Sequence, residues 1–78
     1  YDVKIYPNPA NDIVHLASAR KLHHARVELI NISGRVVLQT EFDAQSEVRL
    51  NVENLKRGVY FVHLKSDEGD LRKRLLIQ

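Results

Sequence analysis

Four histidines are the side chains of this 78-residue chain best suited to proton transfer or metal binding: His15, His23, His24 and His63. His23 and His24 are adjacent, so on a strand their rings would point to opposite faces. Zinc needs a closed tetrahedral set of ligands, and the chain has no Cys and no carboxylates at a suitable spacing. We therefore expect surface histidines, with no bound metal and no cofactor.

A nucleophilic triad is conceivable around Asp12, His15 and Ser18, which lie close together in the chain. Such a triad also requires a nucleophile elbow and donors for an oxyanion, and the sequence has no motif for either part. The three glycines are isolated, so they do not form a phosphate-binding loop. The sequence predicts that this domain is not an enzyme.

Basic residues are concentrated in two segments. Residues 20–26 carry Arg, Lys and His but no aromatic side chain on which bases could stack, so we expect a solvated loop and no nucleic-acid partner. The second segment is the run Arg72, Lys73 and Arg74 near the end of the chain. Elsewhere acidic and basic residues are mixed, and the formal charge of +2 is mild.

These residues would be positioned by strands, because strand-forming residues occupy seven segments separated by polar turns. Residues 18–25 have no clean period and are predicted as a loop, with a short helix as the weaker alternative. The pattern is typical of an all-β sandwich with two antiparallel sheets. The predicted strands are residues 1–6, 13–17, 26–32, 35–42, 47–52, 59–65 and 71–77.

Residues 55–64 carry the strongest strand signal and are expected to be central. Gly58 suggests a positive φ or a close approach of another segment. Phe61 would face away from the core, either in an exposed apolar patch with Val59 or beneath a covering segment. The residues expected between the sheets are Val14, Leu16, Val27, Leu29, Val48, Leu50, Leu55, Tyr60, Val62 and Leu64.

The length allows one domain, residues 1–78, with a modest core. No apolar run reaches the roughly 20 residues of a membrane span. The chain contains no Met, so we expect it to be a piece of a longer protein, and the absence of Cys leaves the redox compartment open.

Several short motifs occur together in one order along the chain: YPNPA at residues 6–10, NISGRVV at 31–37, Leu-x-x-Gly-x-Tyr-x-Val at 55–62, and a basic last strand. In this combination the chain resembles the C-terminal sorting domain of type IX secretion substrates, type A. The motif residues that carry the resemblance are Pro7, Asn8, Pro9, Gly34, Leu55, Gly58 and Tyr60.

The resemblance implies an Ig-like β-sandwich of about seven short strands that follows an N-terminal cargo domain in Bacteroidetes-type bacteria. It implies passage through the periplasm and export across the outer membrane to the cell surface or beyond. The implied partners are the type IX translocon, outer-membrane shuttle proteins and a sortase-like cysteine endopeptidase. That enzyme would remove the domain, at or before Tyr1, and anchor the cargo.

The resemblance also implies that the translocon recognises the last strand, through Arg72, Lys73, Arg74, Leu76 and Gln78. The three cations are adjacent here, whereas many members space their lysines more widely. The Pro7–Pro9 segment is interpreted as a structural corner. The alternative function is a non-catalytic Ig-like surface module that binds carbohydrate or protein, and a carbohydrate site would need two or more exposed aromatic rings in one plane.

Overall fold

A computed structural model describes residues 2–78, which form two antiparallel sheets and no helix. One sheet has the strand order β1-β2-β5 and the other the order β4-β3-β6-β7. This arrangement confirms the predicted all-β sandwich. The strands are β1 (Val3–Tyr6), β2 (Ile13–Leu22), β3 (Ala25–Asn31), β4 (Val36–Phe42), β5 (Gln45–Asn51), β6 (Gly58–Ser66) and β7 (Gly69–Ile77).

The strand β6 occupies the interior position that its apolar composition predicts, because it pairs with β3 on one side and β7 on the other. Tyr60, Val62 and Leu64 alternate toward the opposite sheet and are buried. They meet Val14 and Leu16 of β2 in one continuous hydrophobic core. Sheet packing of this kind holds the molecule together through apolar area removed from water.

The predicted loop at residues 18–25 is wrong, since β2 continues to Leu22 and only His23 and His24 connect it to β3. The register against β5 shifts between Ala17 and Leu22, so a bulge interrupts the alternation that would have marked the strand. Leu22 nevertheless returns to the core, with 3% of its surface exposed. The strand predicted for residues 1–6 begins at Val3, and Tyr1 lies outside the described residues.

The predicted core is correct in its main members but differs at its margins. Val48 and Leu55 pack against the core yet are only half-buried, because Val48 lies in the edge strand β5 and Leu55 in the turn that follows it. The prediction that all four histidines lie at the surface is wrong for His63, which is 9% exposed. Val52, Leu75 and Ile77 are buried as well, as the alternation of their segments predicts. The buried residues that were not predicted are Val3, Ala10, Leu22 and Ala25.

Candidate functional site

The last strand, β7, divides its side chains between the core and solvent as its alternation predicts. Leu75 and Ile77 are buried, whereas Arg72, Arg74 and Leu76 are exposed. Gln78, the residue after the strand, is exposed as well. Because β7 is an edge strand of its sheet, these groups are presented at a border of the molecule.

Lys73 differs from the two arginines beside it. Its Nζ donates a hydrogen bond of 2.9 Å to the main-chain carbonyl of Val3, at the start of β1 in the other sheet. The ammonium therefore ties the two sheets together at their rim. Arg72 and Arg74 have no carboxylate within 4.0 Å in residues 2–78, so their guanidinium groups face solvent without an ion-pair partner.

The segment Pro7–Pro9 packs against the outer edge of β7. The Asn8 side chain accepts a hydrogen bond of 3.0 Å from the Leu76 amide and donates one of 3.1 Å to the Arg74 carbonyl. The next residue but one, Ala10, forms a parallel bridge with Ile77, through hydrogen bonds to the Leu76 carbonyl and the Gln78 amide. This part of β7 thus has its edge groups satisfied within the molecule.

Sequence reasoning interpreted this segment as a corner and missed what its central Asn does. An amide side chain carries both a donor and an acceptor, so it can pair with a strand edge as a backbone residue would. The signal was the Asn between two prolines, which cannot donate main-chain hydrogen bonds themselves. Its partner, 68 residues away, has no local mark in the sequence.

Gly34 and Gly58, two residues of the motif, both have positive φ angles, 87° and 148°. Glycine reaches these conformations without the steric penalty of a Cβ. A Cβ built at Gly58 would have no atom within 4 Å, so of the two predicted reasons for this glycine the backbone conformation is the correct one. Gly34 donates to the Asn31 carbonyl and closes the β3–β4 hairpin.

Tyr60 and Leu55, which complete the motif, anchor the turn before β6. The Tyr60 ring is buried and its hydroxyl donates a hydrogen bond of 2.5 Å to the Lys56 carbonyl, four residues earlier. This satisfies the expectation that a buried tyrosine needs a partner for its hydroxyl. Leu55 packs against the core from the same turn, so both residues have structural roles.

Phe61 is exposed on the solvent side of the four-stranded sheet, which we call the outer face. It has 42% of its surface exposed, so the alternative of a covered Phe61 is wrong. Its cross-strand neighbours are Ile30 in β3 and Arg74 in β7. The buried His63 lies two residues further along, between Glu28 and Arg72 in the register, with its Nδ1 3.9 Å from Glu28 Oε1.

Two histidine–carboxylate pairs join the β2–β3 turn to the β6–β7 turn. His23 Nδ1 lies 2.7 Å from Glu68 Oε2, and the His23 amide donates to the same carboxylate at 2.8 Å. These hydrogen bonds lower the pKa of Glu68 to about 2. His24 Nδ1 lies 2.6 Å from Asp67 Oδ2, and this hydrogen bond, with the carboxylate charge, raises the pKa of His24.

The geometry around these pairs is that of a structural clamp. In residues 2–78, no three His, Asp or Glu side chains converge in a way that could hold a metal ion.

The three residues considered for a catalytic triad lie in and next to β2. Asp12 is in the loop before this strand, and His15 and Ser18 are within it. The His15 ring stacks on Tyr6, with ring centroids 5.1 Å apart. No helix within the described part of the chain is long and apolar enough to span a membrane.

The two-sheet packing defines an immunoglobulin-like β-sandwich. It is shared with a DUF3244 family protein of this fold from Bacteroides vulgatus, at a TM-score of 0.83 and 10% identity, over 97% of this chain and 83% of that protein. The family described as the secretion system C-terminal sorting domain matches residues 4–78. The chain belongs to this family, which confirms the resemblance seen in its motifs.

Two longer proteins contain a similar segment. An endo-acting ulvan lyase of Formosa agariphila is 27% identical over 99% of this chain, which spans only 15% of that enzyme. PorZ, a surface component of the type-IX secretion system of Porphyromonas gingivalis, matches 97% of this chain at 25% identity and a TM-score of 0.77. This chain spans 11% of that PorZ structure.

Proposed function

We propose that this domain is a non-catalytic sorting signal that directs an N-terminal cargo domain through the type IX secretion system. The observation that carries the proposal is membership of the sorting-domain family over residues 4–78. The likeness to a segment of PorZ, a type-IX surface component, and to one of a polysaccharide lyase supports the same assignment. The cargo would cross the periplasm and then the outer membrane.

In this proposal the translocon and its outer-membrane shuttle proteins contact the solvent side of β7. Arg72 and Arg74 would supply charge, Leu76 an apolar contact, and Gln78 a polar contact at the end of the strand. Lys73 would contribute indirectly, because its bond to Val3 keeps β7 in place. The hydrogen bonds of Asn8 would act in the same way, because they hold β7 rigid for binding by the translocon.

After export, a sortase-like cysteine endopeptidase would remove the domain and couple the cargo to the cell surface. Cleavage would fall at or before Tyr1, outside the described residues. Because β1 begins at Val3, a cut there would leave the sandwich itself intact. The alternative of a carbohydrate-binding module has little support, since the two aromatic residues that are exposed within residues 2–78, Tyr6 and Phe61, belong to different sheets.

The proposal predicts that Arg72→Glu/Arg74→Glu abolishes delivery of a fused reporter to the surface of a bacterium that has the type IX system. Both side chains are exposed and have no ion-pair partner within residues 2–78, so the melting temperature should stay near that of the parent. The measurements are reporter activity on intact cells and thermal unfolding of the purified fusion.

The matched control is Lys4→Glu/Arg49→Glu, a double charge reversal of two exposed residues of the three-stranded sheet that have no ion-pair partner within residues 2–78. It makes the same change in net charge and should preserve export. Normal export by a folded Arg72→Glu/Arg74→Glu fusion would show that these cations only protect an edge strand. The next candidate for recognition by the translocon would then be the Pro7–Pro9 segment.

A further inference from the structure

The outer face of the four-stranded sheet is divided into a charged end and an apolar end. The register aligns its outward side chains in rows that run across the strands. Two rows are polar and contain both signs of charge: Glu41, Arg26, Lys65 and Asp70 in one, and Gln39, Glu28, His63 and Arg72 in the next.

The other end of this face is apolar from β4 to β7. One row runs from Val36 through Ile30 and Phe61 to Arg74, and the next row pairs Val59 with Leu76. We call Ile30, Val36, Val59, Phe61 and Leu76 the apolar patch. Three of them are well exposed: Val36 at 43%, Phe61 at 42% and Leu76 at 38%. A contiguous exposed apolar patch usually marks a contact surface.

We infer that the apolar patch, with Arg72 and Arg74, binds a peptide segment of a partner protein that combines apolar and acidic side chains. The inference rests on the proposed function in taking β7 as one border of the site, and it extends the contact across the sheet to β4. The two arginines have no ion-pair partner within residues 2–78, so their guanidinium groups are free to form ion pairs with carboxylates of the bound segment.

The size of the patch favours a short segment over a second copy of this chain. Strands lie about 4.8 Å apart and rise about 3.4 Å per residue, so one row across four strands and a second row across two cover about 200 Å². A stable interface between folded proteins needs about 800 Å² from each partner. A strand or loop with one or two apolar side chains fits the smaller area, and the arginines give it a preferred charge.

The test uses the position of the patch most distant from β7. Val36→Asp and Val36→Lys place opposite charges at one exposed site in β4, with comparable loss of apolar contact. An acidic partner should be repelled by the first, so surface delivery of the reporter should fall about tenfold or more, and considerably less for the second. Gln39→Asp, an exposed position in the polar half of β4, should leave delivery unchanged.

A photo-crosslinking residue at position 36, introduced in the full fusion during export, identifies the occupant. We expect an adduct with another protein that is lost in the Arg72→Glu/Arg74→Glu background. An adduct twice the mass of the fusion, or crosslinking to lipid alone, would overturn the inference. Equal delivery by folded Val36→Asp and Val36→Lys would overturn it too, and the proposed function would still stand if the arginine reversals block export.

Discussion

At the scale of single residues, protonation matters most where the β2–β3 turn meets the β6–β7 turn. His24 and Asp67 are largely exposed, yet their 2.6 Å hydrogen bond is enough to raise the pKa of His24 above its ordinary value of 6.5. The neighbouring pair works in the opposite sense, since His23 lowers the pKa of Glu68. Both pairs therefore contribute fully to stability between pH 4.5, the ordinary pKa of Glu68, and pH 6.5, that of His24.

We predict that stability falls as the pH rises through the elevated pKa of His24, and that Asp67→Asn reduces this fall. The imidazolium is stabilised only in the folded chain, so its contribution is complete below pH 6.5 and is lost above the folded pKa. Melting temperatures of both proteins from pH 5.5 to 8.5 provide the measurement. Identical pH profiles would show that the pair has no effect on stability.

Sequence reasoning missed this clamp for a physical reason. His23 and His24 stand in a segment that carries no period, and their partners lie 45 and 43 residues away. Nothing local indicates which carboxylate will face which imidazole once the turns of the two hairpins meet. Tyr60 shows the opposite case, because its partner is only four residues away and its buried position follows from alternation.

At the scale of elements, the strands were largely predictable and their ends were not. β6 and β7 follow their alternation, so the faces of Val62 and Leu75 could be assigned from the sequence alone. β2 could not be followed past Ala17, because a bulge shifts its register before Leu22. The sequence also does not show that Lys73 differs in role from Arg72 and Arg74, since only folding brings Lys73 to the carbonyl of Val3.

The attachment of β7 to the Pro7–Pro9 segment leads to a prediction for Asn8→Ala. The variant loses two hydrogen bonds to the edge of β7, so we expect a loss of about 1–2 kcal/mol in the free energy of unfolding. Hydrogen exchange should accelerate most at the Leu76 amide, which donates to Asn8 Oδ1. The Gln78 amide, bound to the Ala10 carbonyl, should change less.

Asn11→Ala is the matched control, because Asn11 is an exposed Asn of the same connection with no hydrogen bond from its side chain to residues 2–78. Its stability should remain within about 0.5 kcal/mol of the parent. If Asn8→Ala exports its cargo poorly while Asn11→Ala exports it normally, rigidity of β7 is part of the sorting signal. Equal protection of Leu76 in both variants would contradict the assigned role of Asn8.

At the scale of the whole molecule, one core serves both sheets. The buried side chains of β2 and β5 belong to the same cluster as those of β3, β6 and β7. Polar ties add to it at the rim, where Lys73 of one sheet reaches Val3 of the other. The residues proposed for recognition, Arg72, Arg74 and Leu76, are exposed outside this core, so substitutions there should have little effect on the fold.

Because the two sheets share this core, we predict that residues 1–78 unfold as one cooperative unit. Leu29 is fully buried in the four-stranded sheet and Leu50 is 2% exposed in the three-stranded sheet. Either Leu→Ala truncation should cost about 2–4 kcal/mol in the free energy of unfolding, because transfer energy and packing are both lost. Ile32→Ala, a truncation at a residue that is 79% exposed, should change the free energy of unfolding by less than about 0.5 kcal/mol.

Urea unfolding followed by tyrosine fluorescence and by circular dichroism should give coincident single transitions in all three variants. Two transitions, with Leu29→Ala shifting one and Leu50→Ala the other, would mean that the sheets are separate stability units and that the single-domain assignment is wrong.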